Sequence, residues 1–255
     1  MRAKKSYGQH FLVNEAISER IANSLNLNHY KVLEIGPGQG MLTKYLLEKD
    51  YELYAVEADR DMVAHLKIHY PELGDRLHFA DFMRFRLDQL FQAESFAIIG
   101  NFPYNISSQI LFKMLDHRQS VPELVGMFQK EMAERVVAKP GGKEYGVISV
   151  LVQAFYKGEY LFTVKRGHFN PPPKVTSAVI RLTRKTNQNL GCDYKLFRQI
   201  VKQTFGQRRK MLRNTMKPFL KGSDLLKEDF FQQRPERLSV EDFVQLTNWV
   251  EEART

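Results

Sequence analysis

A single cysteine, Cys192, stands among the 255 residues, which excludes an intramolecular disulfide and a cysteine-rich metal site. No run of about 18 apolar residues is present to span a bilayer. The basic start (Arg2, Lys4, Lys5) is not followed by the apolar stretch that a signal peptide needs. No internal repeat or low-complexity tract interrupts the chain. These absences predict a cytoplasmic protein with no metal site and no membrane attachment. Acidic residues are scarce in one region above all: between Lys165 and Lys221, 15 Lys and Arg accompany one acid, Asp193, a local charge of +14. With a total of +9, the rest of the chain carries −5. Such a split predicts a basic face that neutralises phosphates, attached to a body with another task.

Short apolar runs alternate with helical patterns through the first two-thirds. Lys31 to Ile35, Glu52 to Val56, Leu77 to Phe79, Phe96 to Ile99 and Leu124 to Phe128 read as buried strands. Helices are expected over Met41 to Glu48, Met62 to His69 and Ser107 to Leu115, and over Val147 to Tyr156. Two more strands, Tyr160 to Val164 and Ala178 to Thr183, complete a seven-stranded sheet whose last two strands can run antiparallel. The alternation predicts a doubly wound α/β domain, Rossmann-like, with a mostly parallel sheet. Arg184 to Asp193 is polar and reads as a linker. Helices are then expected over Tyr194 to Phe205, Arg208 to Leu220, Leu225 to Phe230 and Val240 to Glu252, the last opened by a capping box from Ser239 and Asp242. The expected division is a catalytic α/β domain over 1–185 and a small all-helical C-terminal domain over 186–255.

The first strand runs straight into Gly36-Pro37-Gly38-Gln39-Gly40 and then a helix. Alternate glycines let the backbone turn sharply and let a ligand lie against main-chain atoms. The spacing is G-x-G-x-G, not the G-x-G-x-x-G of dinucleotide sites, and the Lys and Ser/Thr of a phosphate-gripping loop are missing. Glu57 ends the next strand, 17 residues beyond Gly40, where a carboxylate can accept from both hydroxyls of a ribose. A nucleoside held without phosphates fits S-adenosylmethionine better than a nicotinamide dinucleotide. Asp81-Phe82 follows the third strand; Asp81 can bond an adenine amine or cap a helix.

The fourth strand leads into Gly100-Asn101-Phe102-Pro103-Tyr104. Strand C-termini line the ligand crevice of an open α/β sheet, so this segment faces the cofactor. The Asn101 oxygen and a backbone carbonyl before or at Pro103 can accept both hydrogens of one amine. Tyr104 offers a face on which a base can stack, worth about 1–3 kcal/mol. The chemistry suits adenine N6, whose lone pair is delocalised into the ring. Two acceptors pull that amine toward tetrahedral geometry and localise the pair, so positioning suffices without a strong general base. Phe169, at the edge of the stiff Pro171-Pro172-Pro173 loop, can either cover a flipped base or belong to the core.

Taken together, these residues resemble the ribosomal-RNA adenine N6-dimethyltransferases, in particular their bacterial small-subunit (KsgA) type. Gly8-Gln9-His10-Phe11-Leu12 is similar to that family's N-terminal cofactor motif, Leu33 to Gly40 to its glycine loop, and Asn101 to Tyr104 to its catalytic motif. Gln129 to Arg135 with Pro140 to Gly146 resembles its insert, Phe169 to Ser177 its late aromatic motif, and Phe205 to Asn214 the start of its helical domain. The resemblance implies that S-adenosylmethionine is contacted by Gln9, His10 and Leu12, by Gly36, Gly38 and Gly40, and by Glu57, Asp81, Phe82 and Asn101. It implies that Asn101, Pro103, Tyr104 and Phe169 frame the adenine. It further implies two methyl groups on each of two adjacent adenines in a hairpin near the 3′ end of 16S RNA, in a partly assembled small subunit whose assembly the enzyme checks. Lys174, Arg208, Arg209, Lys210 and Arg213 are the expected phosphate contacts, and a monomer is expected. One departure is Phe102, where Leu or Ile is commoner; only its backbone is expected to matter.

Three other readings compete. A large-subunit adenine methyltransferase of the macrolide-resistance type shares the fold and catalytic motif, but the Pro140 to Gly146 insert and the Phe205 to Asn214 segment favour the small-subunit type. A DNA adenine methyltransferase more often carries D/N-P-P-Y and a separate recognition domain. A non-catalytic RNA-binding factor on the same fold would not need every glycine, Glu57, Asn101 and Tyr104 intact.

Overall fold

A computed structural model describes residues 10–26, 30–92 and 94–254, which divide into two compact units. One holds the residues up to Ala133 and Lys157–Arg184; the other holds Glu134–Tyr156 and the chain from Lys185 on.

The first unit is built on a sheet of β2 (Lys31–Ile35), β3 (Glu52–Glu57), β4 (Leu77–Phe79), β5 (Ala97–Asn101), β6 (Glu123–Gln129), β7 (Tyr156–Val164) and β9 (Ser177–Arg184). Their order is β4-β3-β2-β5-β6-β9-β7. From β4 to β6 every pairing is parallel, and β9 runs antiparallel to β6. Parallel strands covered on both faces read as continuous apolar runs. That is why Val32, Leu33 and Ile35, or Ala97, Ile98 and Ile99, are all buried. Each large apolar side chain so buried contributes about 1.5–3 kcal/mol. The first crossover leaves β2 for β3 on one side, while β5 takes the other side; the C-terminal ends of β2 and β5 therefore flank a topological switch point, where such folds bind ligands.

Helices α2 (Thr43–Leu47), α3 (Arg60–His69) and α5 (Ser107–Asp116) fall where the periodicity puts them. Asp59 opens α3 by accepting from Asp61 N at 3.0 Å. Three helices escaped the sequence reading: α1 (Glu15–Ala22), capped by Asn14, α4 (Leu87–Phe91) and α6 (Lys130–Val137). So did the two-residue strands β1 (Phe11–Leu12) and β8 (Phe169–Asn170), which pair antiparallel with each other. Helix α6 follows β6 directly.

The second unit differs from the expected division at residue 185, because Glu134–Tyr156 packs with the C-terminal helices. Its helices are α7 (Val147–Gln153), α8 (Tyr194–Gly206), α9 (Leu212–Thr215) and α10 (Val240–Glu252). Backbone bonds tie the early segment in: Gly141 N donates to Glu236 O at 2.6 Å, and Lys185 N to Phe155 O at 2.8 Å. Tyr145 is buried edge-on to Phe205, whose ring also meets Phe243 in the aromatic core. Asp193 caps α8, and the Ser239–Asp242 capping box opens α10 as expected. The long helix expected over Arg208 to Leu220 shrinks to α9. Pro218 lacks an N–H and disfavours helical backbone at Lys217. The helix expected over Leu225 to Phe230 is two 3-10 turns, Asp224–Lys227 and Asp229–Gln232, separated by extended backbone at Glu228.

Candidate active site

The ends of β2, β3 and β5 open onto a cavity of about 1030 Å³ in the first unit. The chain leaves β2 with Gly36 N still donating to Val56 O at 2.9 Å, so the glycine loop begins anchored to β3. At Gly38 φ is +57°, and a Cβ would stand 3.1 Å from the Phe11 ring. At Gly40 φ is +81°, and a Cβ would enter the Tyr70 ring at 2.1 Å. Gly36 and Gly38 line the cavity, whereas Gly40 does not; Gly40 makes room for Tyr70.

Two carboxylates meet behind the loop. Glu57, only 6% exposed, accepts from Gly38 N at 3.0 Å and from Asp59 N at 2.8 Å. Burial pushes its pKa up, and these backbone donors pull against that. Glu34 is fully buried, accepts from the Thr43 hydroxyl at 2.7 Å, and has its pKa pushed up to about 8 by burial. It lines the cavity too. Sequence reasoning passed it over as part of strand β2; the available signal was a lone charge inside an apolar parallel strand. Asp81 lines the cavity, and its Oδ1 accepts from Met83 N at 2.9 Å to cap a turn. Phe82 is buried beside it.

Asn101, Pro103 and Tyr104, with His10 and Leu12, also line the cavity. Strand β5 runs to Asn101, two residues beyond its predicted end, which fixes the backbone of that residue. Asn101 Nδ2 donates to His10 O at 3.1 Å. The Tyr104 ring stacks with His10 at 5.6 Å, and its hydroxyl shares a 2.5 Å hydrogen bond with Ser177 Oγ. Burial raises the Tyr104 pKa while that bond lowers it. His10 Nδ1 lies 2.9 Å from Pro171 O, so the β1–β8 pairing is what delivers His10 to the site. Phe169 is placed otherwise: it packs in the hydrophobic core, 4% exposed, and is not among the lining residues. The Phe102 side chain is buried in a slot that Gly126 provides, where a Cβ would come within 2.1 Å of the ring. Gln9 lies outside the described residues.

The expected phosphate contacts divide between the units. Lys174 is exposed on the first. On the second, Arg209, Lys210 and Arg213 are exposed. Arg208 is partly exposed and donates to Gly142 O at 2.9 Å, with Glu236 3.9 Å away. Among the described residues, no cluster of His, Cys, Asp and Glu is arranged to hold a metal. None of the described helices is long and apolar enough to cross a membrane.

A seven-stranded sheet with an antiparallel strand inserted beside β6, a glycine loop after β2 and Asn-Phe-Pro-Tyr after β5 define a Rossmann-like methyltransferase. The solved 23S rRNA methyltransferase ErmE shares this fold, with TM-score 0.69 and 22% identity over 93% of this chain and 99% of its own. The family model for ribosomal RNA adenine dimethylase matches residues 1–252, and the chain belongs to that family and is an rRNA adenine methyltransferase. It is 52% identical over 255 residues to ribosomal RNA small subunit methyltransferase A of Bacteroides thetaiotaomicron, covering 99% of this chain and 96% of the relative. Against the protein of that name from Flavobacterium johnsoniae it is 53% identical over 253 residues, covering 98% and 97%. The crystal structure of a dimethyladenosine transferase from Plasmodium falciparum superposes with TM-score 0.83 at 26% identity, covering 96% and 98%.

Proposed function

We propose that this protein uses S-adenosylmethionine to dimethylate N6 of two adjacent adenines in a hairpin near the 3′ end of 16S ribosomal RNA. It acts in the cytoplasm, as a monomer, on a partly assembled small subunit, and its action is tied to that subunit's assembly. The observation that carries this reading is one cavity lined both by Gly38 and Glu57 and by Asn101, Pro103 and Tyr104. Relatives about half identical along nearly their whole length are named small-subunit methyltransferases, which supports the choice of subunit.

The residues present fit the cofactor. Gly36 and Gly38 line the cavity with backbone alone, and Glu57 is held beside them by two backbone donors. Each Glu57 oxygen keeps a lone pair for a ribose hydroxyl. When bound, S-adenosylmethionine supplies an electrophilic sulfonium methyl. The protein's part is alignment. Because Asn101 Nδ2 donates to His10 O, Oδ1 is the atom turned to accept from an amine. Pro103 O already accepts from Ile106 N at 3.2 Å, so the Phe102 carbonyl serves as the second acceptor. Tyr104 supports the base by stacking. Lys174, Arg209, Lys210 and Arg213 meet phosphates.

The test is tritiated methyl transfer to small subunits purified from a strain lacking the modification, with large subunits and Asn101→Ala alongside. Incorporation into small subunits alone, lost in the variant, is expected. Incorporation into large subunits would overturn the choice of substrate, and none despite cofactor binding would overturn the reaction.

A further inference from the structure

Lys113 lies on α5, the helix that follows Asn101–Tyr104, yet its ammonium reaches away from that motif to the turn after β4. Its Nζ donates to Phe82 O and to Phe85 O, both at 2.5 Å, with Met83 O at 3.4 Å. The turn is a single helical loop in which Arg84 N and Phe85 N both donate to Asp81 O. No helix continues from it, so its later carbonyls resemble those left over at a helix C-terminus. A lysine has three donors and no acceptor, which matches such a cluster. The ammonium also lies 4.7 Å from the centre of the Phe82 ring. Asp81, Phe82, Arg84 and Phe85 all line the cavity beyond Glu57. One side chain therefore joins the helix behind the methyl-accepting motif to the wall at the cofactor's end.

We infer that Lys113 is a positioning residue for the cofactor's base, gathering the carbonyls of the Asp81–Phe85 turn so that Asp81 and Phe82 present a formed wall to the adenine ring. This rests on the reading that the cavity holds S-adenosylmethionine. Its half-buried stem explains why a lysine sits there without extending into solvent, and burial lowers its pKa. Lacking this cation, the turn has to be ordered by the ligand itself, which weakens binding. The lesion is local to the adenine end, so ligands with and without the amino-acid portion should suffer equally.

The experiment is calorimetric titration of the wild type, Lys113→Met and Lys113→Arg with S-adenosylmethionine and with 5′-methylthioadenosine, which keeps the adenine and ribose but not the amino acid. Melting temperatures are recorded without ligand. Lys113→Met should fold, because methionine keeps the apolar stem, and should bind both ligands about tenfold more weakly. Lys113→Arg should recover most of the affinity through its own cation. Methyl transfer at saturating cofactor should keep its kcat, so the defect shows in KM for the cofactor. Equal affinity in wild type and Lys113→Met overturns the inference, as does a loss confined to S-adenosylmethionine. If Lys113→Met fails to fold, Lys113→Gln is titrated in its place under the same criteria. Failure of the wild type to bind S-adenosylmethionine would overturn the cofactor reading itself, and this inference with it.

Discussion

Four carboxylates, Glu34, Glu57, Asp59 and Glu123, are buried in the first unit, whereas no Asp or Glu is buried among the described residues of the second. The second unit buries hydroxyls instead. Ser149, Thr204, Thr215 and Thr247 each donate to a helix carbonyl, as Thr247 Oγ1 does to Phe243 O at 2.7 Å. A buried carboxylate is costly unless hydrogen bonds hold it. The first unit bears that cost at Glu57 and Glu34 where they line the cavity. Asp59 and Glu123 do structural work, capping α3 and accepting from Asn26 N. In the second unit the interior only packs, and the basic charge lies outside. Chemistry and charge are therefore separable, and substitutions should divide along that line.

The largest separation is expected at Asn101. On the proposed reading Asn101→Ala removes an acceptor for the reacting amine, and methyl transfer should fall about 100- to 1,000-fold, while the melting temperature barely moves. A parallel fall in stability would show that this residue belongs to the framework and blur the contrast. Gly40→Ala tests the reverse, a glycine near the site whose role is structural. It should destabilise by about 2–4 kcal/mol from positive φ and the Tyr70 clash, read by urea unfolding. Tyr70→Ala in the same chain should return part of that loss.

Glu34→Gln sharpens the contrast through pH. In the folded chain this carboxyl ionises near 8, and in the unfolded chain near its ordinary value of 4.5. Between those values the native state holds the extra proton, so stability falls as pH rises through this window and levels off above it. The Gln variant should flatten that slope; an unchanged slope would mean that other groups set it. The smallest effect on the fold belongs to the second unit's surface. Replacing Arg209, Lys210 and Arg213 by Ala should leave the melting temperature intact and reduce the salt slope of RNA binding by up to about one per residue. Arg208→Ala should instead lower stability, since its guanidinium holds Gly142 O.

The strands and the cavity residues near them were legible because parallel strands carry unbroken apolar runs, and because the site hangs on their C-terminal ends. Glu57, Asn101 and Tyr104 could be placed from spacing alone. What escaped depends on distant partners. Nothing local marks Phe11–Leu12 and Phe169–Asn170 as strands, since two residues have no periodicity and the pairing is remote in sequence. Glu134–Tyr156 looked like part of the α/β alternation, but Tyr145 finds its pocket beside Phe205. Phe169 shows the same limit: an aromatic at a loop edge suits a base or a core equally, and here Leu12 pairs across from it. Apolar spacing also suggested a helix through Pro218, where backbone chemistry overrode side-chain pattern.

The small β1–β8 pairing also closes a long loop. The glycine loop and Glu57 come together through neighbouring strands, close in sequence. His10, by contrast, meets Pro171, 161 residues later. The cost of closing such a loop grows only with the logarithm of its length, about 0.6 kcal/mol for each doubling. One part of the site therefore rests on contacts local in sequence, and the other is complete only where the tail of the first unit returns to meet its beginning.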